Sequence, residues 1–397
     1  MITLLDTLIG GAALLLMGPV VVLFVEVVLA VTQRERTASV AGDRPNVAVL
    51  VPAHDEALII GRTLRTIVPQ MAGGDRLVVV ADNCTDETAA LAAAEGAEVL
   101  ARSDLLRRGK GYALDFGIHH LKSDAPEIVL IVDADCRLGP GVIDRLARLS
   151  QRSGRPVQAL YLMQAAENAS LKMRIAEFAW VIKNHVRPLG LHRLGLPCQL
   201  MGTGMAFPWA CISSTDLATG HIVEDLKLGI ELARRGTPPL FCPEALVTSE
   251  FPASSEGVRS QRTRWEHGHL SVILSDAPQL LLSSLATLNA GGLALALDLA
   301  VPPLSLLTLL VIAAWSSAAL LSIFARSYFP LAAASVTAAL LVIAILLSWR
   351  AHGRHIISLI SLALAILQAF LKIPLYLKFV VARQVKWIRS KREADEL

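Results

Sequence analysis

Two patterns of apolar residues divide the chain: long runs near its two ends, and short runs separated by polar residues in the middle. Residues 8–31 are almost entirely apolar and long enough to cross about 30 Å of hydrocarbon as a helix. A second apolar region begins near residue 290 and divides into segments over 291–322, 330–348 and 355–377. The pattern predicts a membrane protein with a polar domain between its helices.

The charges beside these segments predict the side of the membrane. The first seven residues contain no Lys or Arg, so the first segment is predicted to be an uncleaved anchor. Arg34, Arg36 and Arg44 follow it, which predicts a cytoplasmic middle domain. Three C-terminal passes would leave the basic tail, residues 381–397, on the opposite side. Either Pro302–Pro303 marks a hairpin between two passes, or the KIPLYLKFVV stretch lies along the interface.

The polar middle alternates short apolar runs with segments typical of helices. Fully apolar strands separated by helices indicate a mostly parallel sheet covered on both faces, and hence an α/β fold. In such sheets, ligands bind beyond the carboxyl ends of the strands. The predicted strands are 46–54, 76–83, 97–101, 127–135 and 156–163.

Acidic residues follow three of these strands. Asp55 and Glu56 follow the first strand, Asp82 ends the second, and Asp133 and Asp135 follow the run EIVLIV. Two carboxylates one residue apart can bind a hard divalent cation that also holds a diphosphate. The alternatives are an Asp-rich surface turn for the pair, and the start of the next helix for Asp82.

Lys110 lies in a glycine-containing stretch, RRGKG, that is not a Walker A loop. Its glycines and cations suit the approach of a phosphate, although a basic helix start is the alternative. No G-x-G-x-x-G follows the first strand, which argues against a dinucleotide-dependent dehydrogenase.

Two further stretches carry candidate chemistry. Glu224 and Asp225 open an amphipathic helix, where the helix dipole favours acids regardless of function. In QRTRW, Arg264 and Trp265 offer guanidinium donors and an aromatic face, which suit a diphosphate and a sugar. A basic and aromatic belt at the membrane interface is the alternative for that segment.

Composition removes several other classes of protein. Apolar residues make up 54% and charged residues 18%, which excludes a disordered chain. A net charge of +3 is too small to indicate a nucleic-acid partner, and none is expected. The five cysteines form no C-x-x-C pair, so we expect reduced thiols rather than a zinc site or a disulfide framework.

Taken in order, the motifs VPAHDE, ADNCTDET, RRGKGYALD, DAD, VED and QRTRW resemble those of the membrane-embedded family 2 glycosyltransferases. That group includes cellulose, chitin-oligosaccharide and hyaluronan synthases. The resemblance implies a GT-A catalytic domain, Rossmann-like and cytosolic, inserted between transmembrane helices. The predicted divisions are an anchor over 1–34, the catalytic domain over 45–275, an interfacial segment over 276–290, three or four helices over 291–380, and the tail over 381–397.

The resemblance also implies roles for the acids at the strand ends. Asp55 or Glu56 would lie near the nucleotide, with Asp82 at the uracil or ribose. Asp133 and Asp135 match the D-x-D pair, with Asp135 coordinating the Mg²⁺ or Mn²⁺ that bridges the diphosphate. The second motif departs from the family's commoner D-D-x-S-x-D, since it reads ADNCTD.

The later motifs would supply the base and the leaving-group contacts. Asp225, with Glu224 before it, matches the general base of the family's E-D motif. QRTRW matches QxxRW, with Arg264 at the diphosphate and the Trp at the acceptor sugar, and Lys110 would help to neutralise the diphosphate. The nucleotide-sugar site is thus expected to include Gln261, Arg264 and Trp265.

The predicted function is inverting transfer from a nucleotide sugar to a growing β-linked glycan at the cytoplasmic face of the inner membrane. We expect a UDP-sugar, although no residue distinguishes UDP from GDP. Other expected partners are membrane lipids and an export or accessory subunit. The alternative is transfer of a single sugar to a lipid acceptor such as a polyprenyl phosphate. QRTRW favours the glycan, because simple lipid-phosphate transferases of the family that the chain resembles generally lack this motif. The C-terminal helices are few for a self-contained polysaccharide channel, which leaves processivity and secretion open. A channel or transporter would not require these motifs in this order.

Overall fold

A computed structural model describes residues 2–32, 43–219, 223–252 and 255–381. Its contacts divide the chain into two units, which we call the helical unit and the sheet unit. The helical unit comprises Met1–Arg34, Glu167–Leu196 and His269–Arg383, and the sheet unit comprises Glu35–Ala166, Pro197–Gly268 and Gln384–Leu397. Arg34, Arg36 and the tail from residue 382 onward lie outside the described residues.

An eight-stranded sheet forms the centre of the sheet unit. Its strands are β1 (Val47–Ala53), β2 (Arg76–Asp82), β3 (Glu98–Arg102), β4 (Ile128–Ile131), β5 (Arg137–Leu138), β6 (Val157–Gln164), β7 (Met205–Pro208) and β8 (Leu240–Glu250). They are ordered β3-β2-β1-β4-β7-β6-β8-β5. Pairs β3-β2, β2-β1, β1-β4 and β6-β8 are parallel, whereas the pairs of β7 with β4 and β6 and of β5 with β8 are antiparallel. The predicted α/β fold with a mostly parallel sheet is confirmed.

Helices accompany the strands in this unit. They are α2 (Ile60–Ile67), α3 (Thr88–Ala94), α4 (Lys110–Leu121), α5 (Val142–Ser153), α8 (Trp209–Ile212), α9 (Glu224–Arg234) and α10 (Ser255–Ser275), the last continuing into the helical unit. In α2, Ile60, Thr63, Leu64 and Ile67 are buried, the spacing of one face of a helix. The central strand β4 is buried along its whole length, as its apolar sequence predicts.

The helical unit contains the apolar segments. Its helices are α1 (Ile2–Thr32), α6 (Leu171–Val181), α7 (Arg187–Arg193), α11 (Ala277–Ala286), α12 (Ala290–Leu299), α13 (Leu304–Ala325), α14 (Phe329–Ser348), α15 (Leu359–Phe370) and α16 (Ile373–Val381). Four stretches among the described residues are long and apolar enough to span a membrane: Leu4–Thr32, Leu304–Ala325, Phe329–Gly353 and Leu359–Val381. This supports the prediction of a membrane protein.

The helices on the two sides of Pro302–Pro303 differ in length, which bears on the hairpin explanation for the tail. A hairpin at Pro302–Pro303 would need a spanning helix on each side of the prolines. The helix before them, α12, has 10 residues, which span only about 15 Å. The prolines separate this short helix from α13, which has 22 residues, and the number of passes stays a prediction.

Two acids within the apolar segments share one partner. The Arg187 side chain donates from Nε to Glu26 Oε2 at 2.9 Å, and from Nη2 to the backbone oxygen of Asp298 at 2.6 Å. It also forms an ion pair with the Asp298 carboxylate. All three side chains are buried, so this contact ties α1, α7 and α12 together within the helical unit.

Candidate active site

The two aspartates of the D-A-D stretch lie directly beyond β4. The backbone N–H of Asp133 donates to Thr203 Oγ1 at 3.0 Å. Its carboxylate forms an ion pair with Lys110, the first residue of α4. Lys110 Nζ also donates to the backbone oxygen of Gly202 at 2.6 Å. The lysine therefore connects the D-A-D stretch to the loop that precedes β7.

Glu224 and Asp225 form the first turn of α9 and reach the same loop. A Cβ atom added at Gly202 would lie 3.4 Å from Asp225 Oδ2 and 3.9 Å from Lys110 Nζ. Gly202 has φ +93°, a conformation that glycine adopts without strain. A larger residue here would be strained and would crowd both functional groups.

These neighbouring residues also influence one another's ionisation. Burial raises the pKa of Glu224 to about 7, with repulsion from Asp225 adding to the effect and Lys110 opposing it. Burial also raises the pKa of the Asp133 carboxyl, against the attraction of Lys110. Burial disfavours the charged form of Lys110, but its acidic neighbours outweigh that and raise its pKa.

Arg264, on α10, faces the same acids. Burial lowers its pKa, whereas Glu224, Asp133, Asp225 and Asp135 all favour its charged form. Gln261 and Trp265 lie on the same helix, and their side chains are half-buried. The attraction of these four carboxylates places Arg264 of the QxxRW motif beside them.

The predicted nucleotide residues gather at the ends of β1 and β2. Asp55 Oδ1 accepts from the backbone N–H of Thr85 at 2.6 Å, and the Glu56 N–H donates to Thr88 Oγ1 at 2.7 Å. Asp82 is buried and accepts from Arg102 Nη1 at 2.5 Å. The loops after these two parallel strands are therefore bound to each other at the carboxyl edge of the sheet.

The donor set suits a divalent metal at the D-A-D stretch. Ligand atoms of Asp133, Asp135 and Cys136 lie within 4.8 Å of one another. The two carboxylates are the oxygen ligands that Mg²⁺ and Mn²⁺ prefer. With Glu224 and Asp225, four acids face two cations, so added positive charge would be favourable here.

A second group, Asp55, Cys84 and Asp86, has similar spacing but another evident role. The carboxylate of Asp55 accepts from the Thr85 N–H, and that of Asp86 accepts from the N–H of Ala57 at 3.0 Å. These bonds hold the loops in shape, so we do not assign a metal to this group.

A cavity of about 160 Å³ opens beside Lys110 and Asp225. It lies between α4 and α9, and its wall includes Leu114, Met205, Leu217 and Leu228. Its lining combines apolar side chains with the charged groups of Lys110 and Asp225, which is typical of a small-molecule site.

Three supporting residues were missed by the sequence analysis. Arg102 pairs with Asp82, and Thr203 holds the Asp133 backbone. Gln158, fully buried on β6, donates to the Thr203 oxygen at 2.9 Å and accepts from the Met201 N–H at 2.8 Å. Arg102 stands at the end of a strand, as Asp82 does, so its position in the sequence could have identified it. Gln158 lies within a strand, and nothing in the sequence pattern indicated its role.

The geometry defines an α/β domain in which acids and cations gather beyond the carboxyl ends of the strands, and comparison with known proteins defines the family. The family described as "Glycosyltransferase like family 2" matches residues 45–268. The chain therefore belongs to glycosyltransferase family 2.

A curated relative, "Probable glycosyltransferase YdaM" of Bacillus subtilis (strain 168), is 25% identical over 248 residues. The match covers 58% of this chain and 56% of the relative, so the chain spans about half the length of that protein.

Among solved structures, the mannosyltransferase PcManGT from Pyrobaculum calidifontis, in complex with GDP-Man and Mn²⁺, is 16% identical. The TM-score is 0.52, over 94% of this chain and 95% of that one. Glucosyl-3-phosphoglycerate synthase from Mycobacterium tuberculosis, with Mn²⁺, UDP and phosphoglyceric acid, is 21% identical over 60% of this chain and 84% of that one, with a TM-score of 0.38. The fold is GT-A-like, as the resemblance implied.

Proposed function

We propose that the protein transfers a sugar, with inversion, from a nucleotide sugar to the hydroxyl of a growing β-linked glycan at the cytoplasmic face of the cell membrane. The observation that carries this proposal is the convergence of four acids and two cations from separate elements. Asp133, Asp135, Glu224 and Asp225 all act on the ionisation of Arg264, and three of them act on that of Lys110.

Asp225 is assigned the role of general base. As the acceptor oxygen attacks the anomeric carbon, the carboxylate takes the hydroxyl proton, and the bond from that carbon to the diphosphate breaks. Its position in the lining of the cavity, beside Gly202, supports this role. Glu224, whose pKa is about 7, lies next to Asp225 in sequence, and each of these two carboxyls influences the titration of the other.

Lys110 and Arg264 are assigned to the departing nucleoside diphosphate. Both are held close to carboxylates in a partly buried site, where electrostatic contacts are stronger than in water. Asp133 and Asp135 would hold a Mg²⁺ or Mn²⁺ ion, which when bound supplies further positive charge to the diphosphate. Asp55, Glu56 and Asp82 are assigned to the nucleoside end, and Gln261 and Trp265 to the acceptor side.

The metal assignment can be tested by calorimetry with the nucleoside diphosphate, titrated with and without Mn²⁺. Asp135→Ala should abolish the gain in nucleotide affinity that Mn²⁺ gives the native protein, because it removes a carboxylate ligand. The exposed Asp124→Ala is the matched control and should keep the full gain. An unchanged Mn²⁺ effect in Asp135→Ala would remove Asp135 from the metal site.

The transfer activity is tested by supplying membranes that contain the protein with a panel of labelled nucleotide sugars and Mg²⁺ or Mn²⁺. Membranes with Asp225→Asn serve as the blank, and products are sized and extracted with organic solvent. A water-soluble ladder from one UDP-sugar is the expected result. Absence of incorporation above the blank from every donor would contradict the proposal.

The second candidate is transfer of a single sugar to a lipid acceptor, such as a polyprenyl phosphate. It is favoured by the small number of apolar helices after the catalytic domain, since only three stretches within residues 255–381 have the length and composition of a span. A single labelled product in the organic phase would establish this reading and exclude polymer synthesis.

A further inference from the structure

The two ends of α1 define two faces of the helical unit. Near its start, Asp6 accepts a hydrogen bond from Ser327, in the turn between α13 and α14. Near its end, the backbone oxygens of Leu29 and Ala30 accept from Arg193 Nη1 at 2.9 and 2.6 Å. These contacts are about 35 Å apart along the helix, enough to cross a bilayer core. We call the two ends the Asp6 face and the Arg193 face.

The turn after α14 lies at the Arg193 face. The rings of His352 and His185 are 4.5 Å apart between centroids, and the helical run through His185 continues into α7. The backbone oxygen of Ile356 accepts from Arg174 at 3.4 Å, and that of Ile357 accepts from Trp349 Nε1 at 2.8 Å. The chain therefore enters α15 from this face.

The start of α13 lies at the same face. Its final turn leads to Ser327, which is bound to Asp6, and the helix is 22 residues long, or about 33 Å. Its first turn is preceded by Asp298, which Arg187 holds against α1. Ser305, the second residue of α13, is thus a marker of the Arg193 face.

The residues that follow α15 contact Ser305. Lys372 Nζ donates to Ser305 Oγ at 2.9 Å, and the Tyr376 hydroxyl lies 2.7 Å from the same oxygen. A helix that descended from Ile357 would have carried Lys372 about 22 Å toward the other face. Instead, α15 packs against α6 and α13, and both of its ends lie at the Arg193 face.

We propose that α15 and α16 lie along the membrane surface at the Arg193 face instead of crossing the bilayer, and that their partner is the lipid of that leaflet. The described part of the helical unit then has three crossings, so that Asp6 and Lys378 lie on opposite sides of the membrane. This conclusion rests on contacts within the helical unit and does not depend on the proposed function.

The exposed side chains of the segment suit that position. Ile360, Leu367 and Leu371 are 78%, 63% and 72% exposed, which offers an apolar side to hydrocarbon. Next to them, Lys372 keeps its ammonium group at the polar edge.

Other residues at the Arg193 face are of the types that contact lipid headgroups. Lys183 lies 5.5 Å from the ring centre of Trp180, and Arg354 lies 5.5 Å from that of Trp349. Tryptophan and basic residues are enriched where a protein meets the cytoplasmic headgroups. Lys378, near the end of α16, then lies on the side that basic residues favour, which removes the conflict that three C-terminal crossings would create.

Protease protection of terminal epitopes tests this topology on the whole 397-residue chain. One variant carries an epitope before Met1 and the other carries it after Leu397, in sealed right-side-out and inside-out vesicles. We expect the two epitopes to be digested in opposite preparations, each being protected in the other until detergent is added. Digestion of both in the same preparation would mean an even number of crossings and would overturn the proposal. Digestion of either epitope in both preparations would also overturn it, because the topology would not be fixed.

Discussion

Glu224 illustrates how burial near another carboxylate sets the ionisation of a single residue. Its folded-state pKa of about 7 lies above the ordinary value of 4.5, because burial and Asp225 both oppose its charge. The folded protein therefore binds more protons than the unfolded chain between these two values. Stability from this group is fully present below pH 4.5 and is lost as the pH rises through 7.

Glu224→Gln should remove this pH dependence, because the amide has no charge to bury. In metal-free, EDTA-treated protein, we expect the native melting temperature to fall more than that of the variant between pH 5 and pH 8. The difference corresponds to at most about 3 kcal/mol. Thermal unfolding at the two pH values measures it, and parallel curves for the two proteins would contradict the assignment.

Among single residues, the sequence predicted those whose place at the end of a strand is enough to indicate a role. Asp133 and Asp135 stand at the end of an apolar strand, where parallel sheets bind ligands. It could not identify Gln158, because a polar residue within a buried strand gains its role from the loop that folds against it. Nor did it identify the pairing of Arg102 with Asp82, which depends on the neighbouring parallel strand.

At the scale of elements, two glycines allow the chain before α9 to pack closely on two neighbouring helices. A Cβ at Gly111 of α4 would lie 2.6 Å from the backbone oxygens of both Leu217 and Thr219. A Cβ at Gly268 of α10 would lie 2.3 Å from a methyl carbon of Val223, the residue before α9. The chain leading to Glu224 and Asp225 is therefore packed directly on the backbones of two helices.

Gly111→Ala should displace that loop and, with it, the Glu224–Asp225 turn. Displacements of about 1 Å can lower turnover by about 10²-fold, so we expect a loss of up to that size with the fold retained. Gly73→Ala is the control, because nothing lies within 4 Å of its added carbon. Turnover and thermal stability are measured for both variants, and native turnover in Gly111→Ala would show that the contact does not position the base.

The sequence predicted β1 to β4 and β6 well, because each is a compact apolar run between turn residues. β7 and β8 were not predicted. β7 has only four residues, and β8 contains Pro243 and an irregular pairing with β6, so neither has the alternation or apolar continuity of a typical strand. The short strand β5 depends wholly on its antiparallel partner β8.

At the scale of the whole molecule, Glu26, Arg187 and Asp298 join segments that are far apart in sequence. The sequence showed the two acids inside apolar runs but could not show that they share an arginine from the segment between them. That segment, Glu167–Leu196, lies within the predicted catalytic domain of residues 45–275, yet it groups with the helical unit.

Arg187→Met should destabilise the helical unit by about 3–5 kcal/mol, because it leaves buried carboxylates without their cation. The triple variant Glu26→Gln, Arg187→Met, Asp298→Asn should recover much of that loss, since no unpaired charge remains. Thermal unfolding of the detergent-purified proteins compares them. Equal destabilisation of the single and triple variants would show that the ion pairs are not the cause.

The most direct test of the account compares catalysis with nucleotide binding in Asp225→Asn. Release of nucleoside diphosphate and calorimetric binding of the nucleotide with Mn²⁺ are measured side by side, with Asp144→Asn, a half-buried acid on α5 paired with Arg148, as control. Loss of the base should lower turnover by about 10²–10⁴-fold while nucleotide affinity stays near the native value. Asp225→Asn that retained most of the native turnover would contradict the assignment of this carboxylate as the general base.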